Sequence, residues 1–178
     1  SYAHFNPNLF MQRVTNASGM GLSTACLKMD NFSGDMDITG QQDYMMLPPI
    51  DLSAAPTGTE LGFHVAYRQY NSGSTDALRV KVSTDCGGSW STLYGKQGGT
   101  LSTGTPTTSA FTPTAAQWRL EQVDLASVIG QPEVLLMFEG ESNWGNNVYI
   151  DDVQVGTTVG IGEQSAVPFS IYPIPATD

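Results

Sequence analysis

The segment of residues 78–101, LRVKVSTDCGGSWSTLYGKQGGTL, constrains the fold more than any other part of the chain. It begins with strict alternation of apolar and polar residues, the period-2 pattern of a half-buried strand. Gly87 and Gly88 then favour a tight turn, because glycine adopts positive φ without steric cost. Trp90 follows the turn and is expected to anchor a returning strand. The segment therefore predicts a β-hairpin.

The turn of this hairpin has the spacing S-x-D-x-G-x-x-W between Ser83 and Trp90. This spacing resembles the Asp-box, a hairpin motif of sialidase propellers and other secreted β-proteins. In those families the motif is a folding element. The resemblance therefore implies that Asp85 holds the turn and that Trp90 packs beneath it. The motif occurs once here, whereas a sialidase propeller would repeat it.

Strand-like patterns recur along the chain, and no segment has a sustained 3.6-residue period, so little helix is expected. Residues 1–20 predict a loop or weak edge strand, and the Gly/Ser/Thr/Pro-rich residues 98–114 predict a long surface loop. About eight strands spaced by roughly ten residues predict an all-β fold, a two-sheet antiparallel β-sandwich with jelly-roll or Greek-key connections. Besides the hairpin, the predicted strands are residues 23–32, 44–50, 61–70, 118–125, 133–138 and 148–155.

The net charge is −10, from seven Lys and Arg residues against 17 Asp and Glu residues. This balance argues against nucleic acids and anionic membranes as partners, because both attract basic surfaces. It is typical of an extracellular protein, or of one whose carboxylates hold a hard cation such as Ca²⁺; a solubilising surface is the alternative. No run approaches the roughly 20 apolar residues of a membrane helix.

The two cysteines, Cys26 and Cys86, leave two alternatives open. In an exported protein they can form one disulfide, and otherwise they are a pair of buried free thiols. The first residues do not form a signal peptide, which favours a domain from a longer secreted protein.

Three blocks carry a family resemblance: residues 82–103, residues 111–127 and residues 143–155, the last reading NWGNNVYIDDVQV. In this order they resemble the jelly-roll modules of secreted Bacteroidetes proteins, which are similar to cleaved-adhesin and MAM-like domains; the match covers residues 25–155. The resemblance implies a non-catalytic accessory module of a larger secreted protein, such as a metalloprotease. Its implied partners are a glycan or protein surface and the neighbouring domains of the parent protein.

The tail SIYPIPATD resembles the start of the C-terminal sorting signal read by the type IX secretion system. Ile174 stands where Asn is common in that signal. The resemblance implies export through the outer membrane to the cell surface or medium. It also implies a division into a jelly-roll module at 1–156, a linker at 157–170 and a truncated sorting signal at 171–178.

The family resemblance further implies a structural Ca²⁺ near the ends of the sheets. Ca²⁺ takes roughly six to eight oxygen ligands, so several carboxylates or amides must come together. Adjacent side chains on a strand point to opposite faces, so at most one of Asp151 and Asp152 joins a given site. The family resemblance implies Asp151, the first Asp of the Y-I-D-D block. The alternative is that the early acidic residues are solvated turn residues. The candidate ligands are Asp30, Asn31, Asp35, Asp37 and Asp151.

Aromatic residues in the loops are the candidates for ligand contact. Trp144 and Tyr70, with Tyr67 and Tyr149, are hypothesised to form a platform for sugar rings, and Asn146 is the adjacent polar candidate. Aromatic side chains combine an apolar face with a polar handle, which suits such stacking. The alternative is that these rings pack inside the sandwich, as is expected for Trp90 and Trp118.

No catalytic residue is predicted. The chain has no H-E-x-x-H zinc motif and no G-x-S-x-G elbow. Glu139 and Glu141 form a pair of carboxylates of the kind that glycosidases use, but their segment favours a turn before the last strand. A glycoside hydrolase therefore ranks behind an adhesin-like accessory module and a carbohydrate-binding module.

Overall fold

The computed structural model describes residues 11–17, 24–32 and 36–157. These residues form short strands joined by turns, with one α-helical turn, α1 (Gly98–Leu101), and two 3-10 turns at Ala115–Gln117 and Ala126–Val128. The predicted linker and sorting signal, apart from residue 157, lie outside the described residues. The strands are β1 (Met11–Val14), β2 (Cys26–Met29), β3 (Gln42–Met46), β4 (Glu60–Tyr67), β5 (Ala77–Ser83), β6 (Ser91–Gln97), β7 (Arg119–Asp124), β8 (Leu135–Glu141) and β9 (Val148–Gly156).

The strands make two antiparallel sheets. One sheet has five strands in the order β1-β2-β9-β4-β7, and the other has four in the order β3-β8-β5-β6. Consecutive strands alternate between the sheets at several points, which is the connectivity of a jelly-roll. The predicted all-β, two-sheet antiparallel sandwich is therefore confirmed.

The core lies between the two sheets and follows the alternation seen in the sequence. Leu61, Phe63, Val65 and Tyr67 of β4 all point inward and are fully buried. The ring of Phe63 meets the ring of Phe138 edge-on, with the centroids 5.0 Å apart. Edge-to-face pairs of this kind add to the stabilisation from apolar burial.

A second, smaller cluster covers the outer face of the five-stranded sheet. Phe111 and Tyr149 are buried there, in edge-to-face contact at 6.0 Å, and Trp118 packs against Tyr149. The segment predicted as a long surface loop supplies Phe111 to this cluster and Leu101 to the main core. It therefore covers the sheet instead of projecting from it.

The β5–β6 turn is held by the carboxylate of Asp85. Its two oxygens accept hydrogen bonds from the hydroxyls of Ser83 and Ser89, each at 2.6 Å, and Oδ1 also accepts the Ser89 N–H at 2.9 Å. These bonds lower the pKa of Asp85 to about 2. The ring of Trp90 lies over Gly87, where a Cβ would stand 3.6 Å from Trp90 Cζ2.

Three sequence expectations need correction. Cys26 is buried in β2 of the five-stranded sheet and Cys86 is exposed at the β5–β6 turn, so the two are free thiols and only one is buried. Trp90 and Trp118 are half-buried outside the main core, because each covers a surface turn or loop. Glu139 belongs to β8 and not to a turn, since its segment continues to pair with β3 and β5.

Candidate functional site

One end of the sandwich collects three connections, which we call the Trp144 end. They are the described parts of the β2–β3 connection (residues 30–32 and 36–41), residues 68–76 after β4 and the turn at 142–147. The pairing places them together, because Met29 at the end of β2 and Tyr67 at the end of β4 both lie opposite Val148.

Trp144 stands out on this surface because it combines exposure with an unfavourable backbone conformation. The residue is 45% exposed, and its φ is 49°. A bulky residue at positive φ is uncommon and costs free energy, so the surrounding structure must impose it.

The structure that imposes this turn is built on Asp76, which is fully buried. Asp76 Oδ1 accepts the N–H groups of Asn143 at 2.8 Å and Gly145 at 3.2 Å. Asp76 Oδ2 accepts the Asn146 N–H at 2.9 Å and the Tyr67 hydroxyl at 2.8 Å. One carboxylate thus fixes three backbone groups around Trp144.

Burial raises the pKa of Asp76, and the four donated hydrogen bonds oppose that rise. Gly145 is required for the same packing, because a Cβ at that position would stand 2.0 Å from Asp76 Oδ2. The turn therefore requires glycine at position 145, because a side chain there would collide with the buried carboxylate of Asp76.

Tyr70 lies on a neighbouring loop of the same end, half-buried, with its ring centroid 6.2 Å from that of Phe32. The loops are tied together by backbone donors: Phe32 N–H donates to Asn147 Oδ1, and Thr75 N–H donates to Asn143 Oδ1. The structure thus places Tyr70 and Trp144 on adjoining loops. Tyr67 and Tyr149, the other two aromatic candidates, are buried.

Asn146 is fully buried and supports the loop that covers the five-stranded sheet. Its Oδ1 accepts the Phe111 N–H at 2.9 Å, and its Nδ2 donates to the carbonyls of Thr107 and Ser109. These bonds hold its amide away from the surface. Of the three predicted ligand-contact residues, Trp144 is the one that the structure leaves open to a large partner.

The structure does not bring the five predicted calcium ligands together, and Asp35 lies outside the described residues. Asp151 lies level with Cys26, four residues along the sheet from Asp30, a separation of roughly 13 Å at the rise of a strand. Burial and the charge of Asp151 raise the pKa of the Cys26 thiol to about 12. Asp151 therefore belongs to the outer sheet face rather than to the loops.

The remaining candidates sit on the β2–β3 connection. Asp30 pairs with Lys28 at 2.8 Å, and exposed Asp37 accepts the Thr39 N–H at 2.9 Å. Asn31 is fully buried, yet among the residues that the structure describes neither polar atom of its side chain has a hydrogen-bond partner. Buried polar groups are normally satisfied, and the side-chain oxygen of Asn31 is of the type that coordinates Ca²⁺.

Within the parts of the chain that the structure describes, no three His, Cys, Asp or Glu side chains converge to hold a metal ion. A cation at the β2–β3 connection therefore requires amide and backbone oxygens in addition to carboxylates. Calcium accepts this mixture of ligands.

A bulge in β9 changes the expected geometry of Asp151 and Asp152. The register shifts between Gly62 and His64 of β4, and Asp152 has φ 51°. Asp152 Oδ2 consequently lies 3.4 Å from His64 Nδ1, on the sheet face to which Asp151 also belongs. The alternation rule for adjacent residues fails at this point. Burial and the nearby Asp151 raise the pKa of Asp152.

Glu139 and Glu141 point outward from β8 and are bound by cations. Arg79 Nη1 lies 3.0 Å from Glu139 Oε1 and 2.8 Å from Glu141 Oε2, and Lys81 also pairs with Glu139. Partial burial opposes ionisation of Glu141, but hydrogen bonds from Arg79 and Gln42 outweigh it and lower its pKa. A general acid requires the opposite shift.

Asp76 was the residue that sequence reasoning missed. It follows the polar turn NSGST and has the local features of an ordinary turn residue. Its partners at 143–146 lie about seventy positions later, so no local pattern connects them.

No protein-family model matches the chain, and no curated protein sequence matches it. Among the described residues, no helix has the length and hydrophobicity needed to cross a membrane.

Solved structures do match. The K3 cleaved adhesin domain of Lys-gingipain from Porphyromonas gingivalis W83 is 16% identical over 75% of this chain and 74% of that one, with a TM-score of 0.51. The K2 cleaved adhesin domain of Lys-gingipain is 14% identical over 84% of each chain, with a TM-score of 0.52.

A carbohydrate-binding module of Caldicellulosiruptor saccharolyticus, solved with mannohexaose, is 14% identical over 84% of each chain, with a TM-score of 0.50. Identities this low show the fold and nothing finer. The chain therefore has the β-sandwich fold found in cleaved adhesin domains and in a carbohydrate-binding module.

Proposed function

We propose that this chain is a non-catalytic, extracellular binding module that contacts a glycan or protein surface through its Trp144 end. The carrying observation is Trp144 itself, which is exposed and held at positive φ by the buried Asp76. Backbone strain that the surrounding structure maintains at a surface points to function. Tryptophan is also, with tyrosine and arginine, enriched among the residues that dominate binding energy.

The fold shared with cleaved adhesin domains and with a module solved with mannohexaose supports this proposal. Its adhesin-like form is a substrate-contacting accessory domain of a larger secreted protein, such as a metalloprotease. The alternative is a carbohydrate-binding module in which Trp144 and Tyr70 form the aromatic platform.

Trp144→Ala is expected to weaken binding to the preferred surface at least tenfold, or about 1.4 kcal/mol. Binding should be screened on a glycan array and on plates coated with mucin, collagen and fibronectin, and then titrated for the strongest hit. The change should leave the melting temperature nearly unaltered, because the side chain is exposed.

Met46→Ala is the matched control, because Met46 is 43% exposed on the outer face of the four-stranded sheet, away from the Trp144 end. It should bind as the unsubstituted protein does. Equal binding by Trp144→Ala, or no binding to any surface in either screen, would count against the proposal.

We also propose that Ca²⁺ binds at the β2–β3 connection, through Asn31 Oδ1 with Asp30 and Asp37. When bound, the ion would be coordinated by the side-chain oxygen of Asn31 and would hold the β2–β3 connection against the end of the sheet. The support is the buried, unsatisfied side chain of Asn31.

Removal of Ca²⁺ with EDTA is expected to lower the melting temperature by roughly 5–10 °C, and added Ca²⁺ should restore it. The estimate assumes an ion at about 100 times its Kd, which stabilises by about 2.7 kcal/mol, and roughly 2–4 °C per kcal/mol in a domain of this size. Scanning calorimetry measures the shift.

Asp37→Asn should abolish most of the calcium-dependent shift. Asp51→Asn is its matched control, because Asp51 is equally exposed and makes the same local turn, accepting the Ser53 N–H at 2.9 Å. A melting temperature that is indifferent to EDTA would refute the site, and equal responses of the two variants would exclude Asp37.

The secreted location and the parent protein remain part of this proposal. The support is the tail resembling a type IX sorting signal, at residues 171–178. Fusion of the C-terminal segment that begins at residue 157 to a reporter in a type IX-competent host, compared with a fusion that lacks the residues from 171 onward, tests export.

A further inference from the structure

Arg68 is the only Lys or Arg residue in the three connections of the Trp144 end. It follows β4 directly and is half-buried. Among the residues that the structure describes, no carboxylate, carbonyl or hydroxyl accepts a hydrogen bond from its guanidinium. Its Nε is buried without an acceptor, whereas its two Nη groups reach the surface. Partial burial of an unpaired charge costs free energy, which an anionic ligand would offset.

The other partly buried cations among the described residues each have a carboxylate partner. The pairs are Lys28 with Asp30, Arg79 with Glu139, Lys81 with Glu139, Lys96 with Glu121 and Arg119 with Glu121. Arg13 of β1 is exposed, so water can hydrate it. The protein has 17 Asp and Glu residues, and a shortage of acids therefore does not explain the unpaired charge of Arg68.

Two neighbours hold the guanidinium of Arg68 in place. Its Cζ lies 5.5 Å from the centroid of the Phe111 ring, within the range of a cation–π contact. Gly104 leaves room for it, because a Cβ at that position would stand 3.1 Å from Arg68 Nε. The segment that carries Gly104 is hydrogen-bonded to the backbone on both sides of Arg68. Little side-chain entropy is therefore lost when the guanidinium takes an acceptor.

Asn146 connects the surroundings of Arg68 to the turn of Trp144. Its side chain accepts the Phe111 N–H at 2.9 Å, and it lies two positions after Trp144. Tyr70 lies two positions after Arg68 and is half-buried at the same end of the sandwich. Tryptophan, tyrosine and arginine are the residue types enriched among those that dominate the energy of protein–protein interfaces. The Trp144 end presents one of each.

The chemistry of the ligand follows from a single unpaired cation in a protein of net charge −10. A guanidinium can donate two parallel hydrogen bonds to one carboxylate. A polyanion would bring further negative charges that have no cation at this end, and the net charge of the protein would repel them. A protein surface, in contrast, can present one acidic side chain among neutral and basic residues.

We propose that the Trp144 end binds a protein partner that places an Asp or Glu carboxylate on the Nη groups of Arg68. This rests on the proposed binding function and names the class of partner and the group that it must present. Trp144 supplies the apolar contact, and Arg68 supplies the one charge-assisted contact that this end offers to an acid.

A random peptide library displayed on phage tests the pairing without a known partner. Peptides selected on the unsubstituted protein should be enriched in Asp or Glu at one position relative to the unselected library. Arg68→Gln should bind a synthetic copy of the strongest peptide at least tenfold more weakly, the loss expected for a hydrogen bond between charged groups. Arg68→Lys should lose less, because lysine keeps the charge and lacks the fork.

Replacing the acidic residue of that peptide with its amide completes the cycle. The amide peptide should bind the unsubstituted protein at least tenfold more weakly, and Arg68→Gln should distinguish little between the two peptides. Arg13→Gln is the matched control, since it removes the same charge from an exposed residue of β1, three strands from β4, and should bind normally. The melting temperature of Arg68→Gln should change little, because no hydrogen bond among the described residues is lost.

Equal affinity of Arg68→Gln and the unsubstituted protein overturns the pairing, as does an equal loss in Arg13→Gln. Selected peptides without an enriched acidic position overturn it too. Binding of an oligogalacturonate through Arg68, with no peptide selected, would assign the cation to an acidic glycan and contradict a protein partner. If binding depends on Trp144 and not on Arg68, this inference falls and the proposed function stands. If binding depends on neither residue, both fall.

Discussion

Asp76→Ala is expected to lower the free energy of unfolding by about 4 kcal/mol. The substitution leaves the N–H groups of Asn143, Gly145 and Asn146 and the hydroxyl of Tyr67 without their acceptor. A buried donor without a partner costs about 1–3 kcal/mol, and water entering the cavity recovers part of that sum. In a domain of this size the loss corresponds to a fall in melting temperature of roughly 8–16 °C.

Urea titration followed by circular dichroism measures this loss. Tyr67→Phe is the graded control, because it removes one of the four hydrogen bonds and leaves the ring in the core, at an expected cost of about 1 kcal/mol. A loss for Asp76→Ala no larger than that of Tyr67→Phe would show that the three backbone bonds do not depend on the carboxylate. Contacts other than those with Asp76 would then have to hold Trp144 at its positive φ.

The same substitution separates stability from binding. Without Asp76, the N–H groups on either side of Trp144 lose the acceptor that holds them, and we expect Trp144 to leave φ 49°, a conformation that is unfavourable for a bulky residue. A folded fraction of Asp76→Ala should therefore bind its surface less well than the unsubstituted protein, although the indole itself is unchanged.

The sandwich could be predicted because the patterns that indicate its strands and turns involve residues close together in the sequence. Alternation along β4 places Leu61, Phe63 and Val65 on one face, and burial of that face follows from the pattern alone. The hairpin of Asp85 is also local, since all of its hydrogen bonds join residues within the turn. Period and turn chemistry suffice for such features.

The sites could not be predicted because their partners are distant in sequence. Glu139 looked like part of a turn beside Gly140, and only pairing with Arg79, sixty positions earlier, shows that it lies on a sheet face. The bulge at Asp152 places Asp151 and Asp152 on the same sheet face, where alternation predicts opposite faces. Nothing in the sequence requires a positive φ at Asp152. Asp76 and Asn31 acquire their roles from loops that meet only in the folded chain.

Glu121 shows how such a distant partner also sets stability, because it joins the two sheets at their β6–β7 edge. It lies on the inner face opposite Phe63, only 6% exposed. Lys96 of the other sheet reaches both carboxylate oxygens, at 2.9 and 2.7 Å, and Arg119 Nε reaches Oε1 at 2.7 Å. Burial, with Glu121 adding to it, raises the pKa of the neighbouring Tyr94.

Glu121→Ala is expected to lower the free energy of unfolding by about 2–3 kcal/mol. Removing one member of a buried ion pair costs about 3–5 kcal/mol, and the smaller figure applies because Lys96 and Arg119 are each 35% exposed and keep part of their hydration. Glu133→Ala is the control, since Glu133 is exposed and should change stability by less than about 0.5 kcal/mol.

The pair Lys96→Met with Glu121→Leu distinguishes charge pairing from simple filling of the edge. Apolar replacement of both partners of a buried ion pair is often neutral or stabilising, so the double variant should recover most of what Glu121→Ala loses. Recovery would show that the stability of the edge depends on a filled interior and not on the ion pair itself. Failure to recover, with Arg119 left unpaired, would instead make Arg119 the partner on which the edge depends, through its bonds to the carbonyls of Ser102 and Leu101.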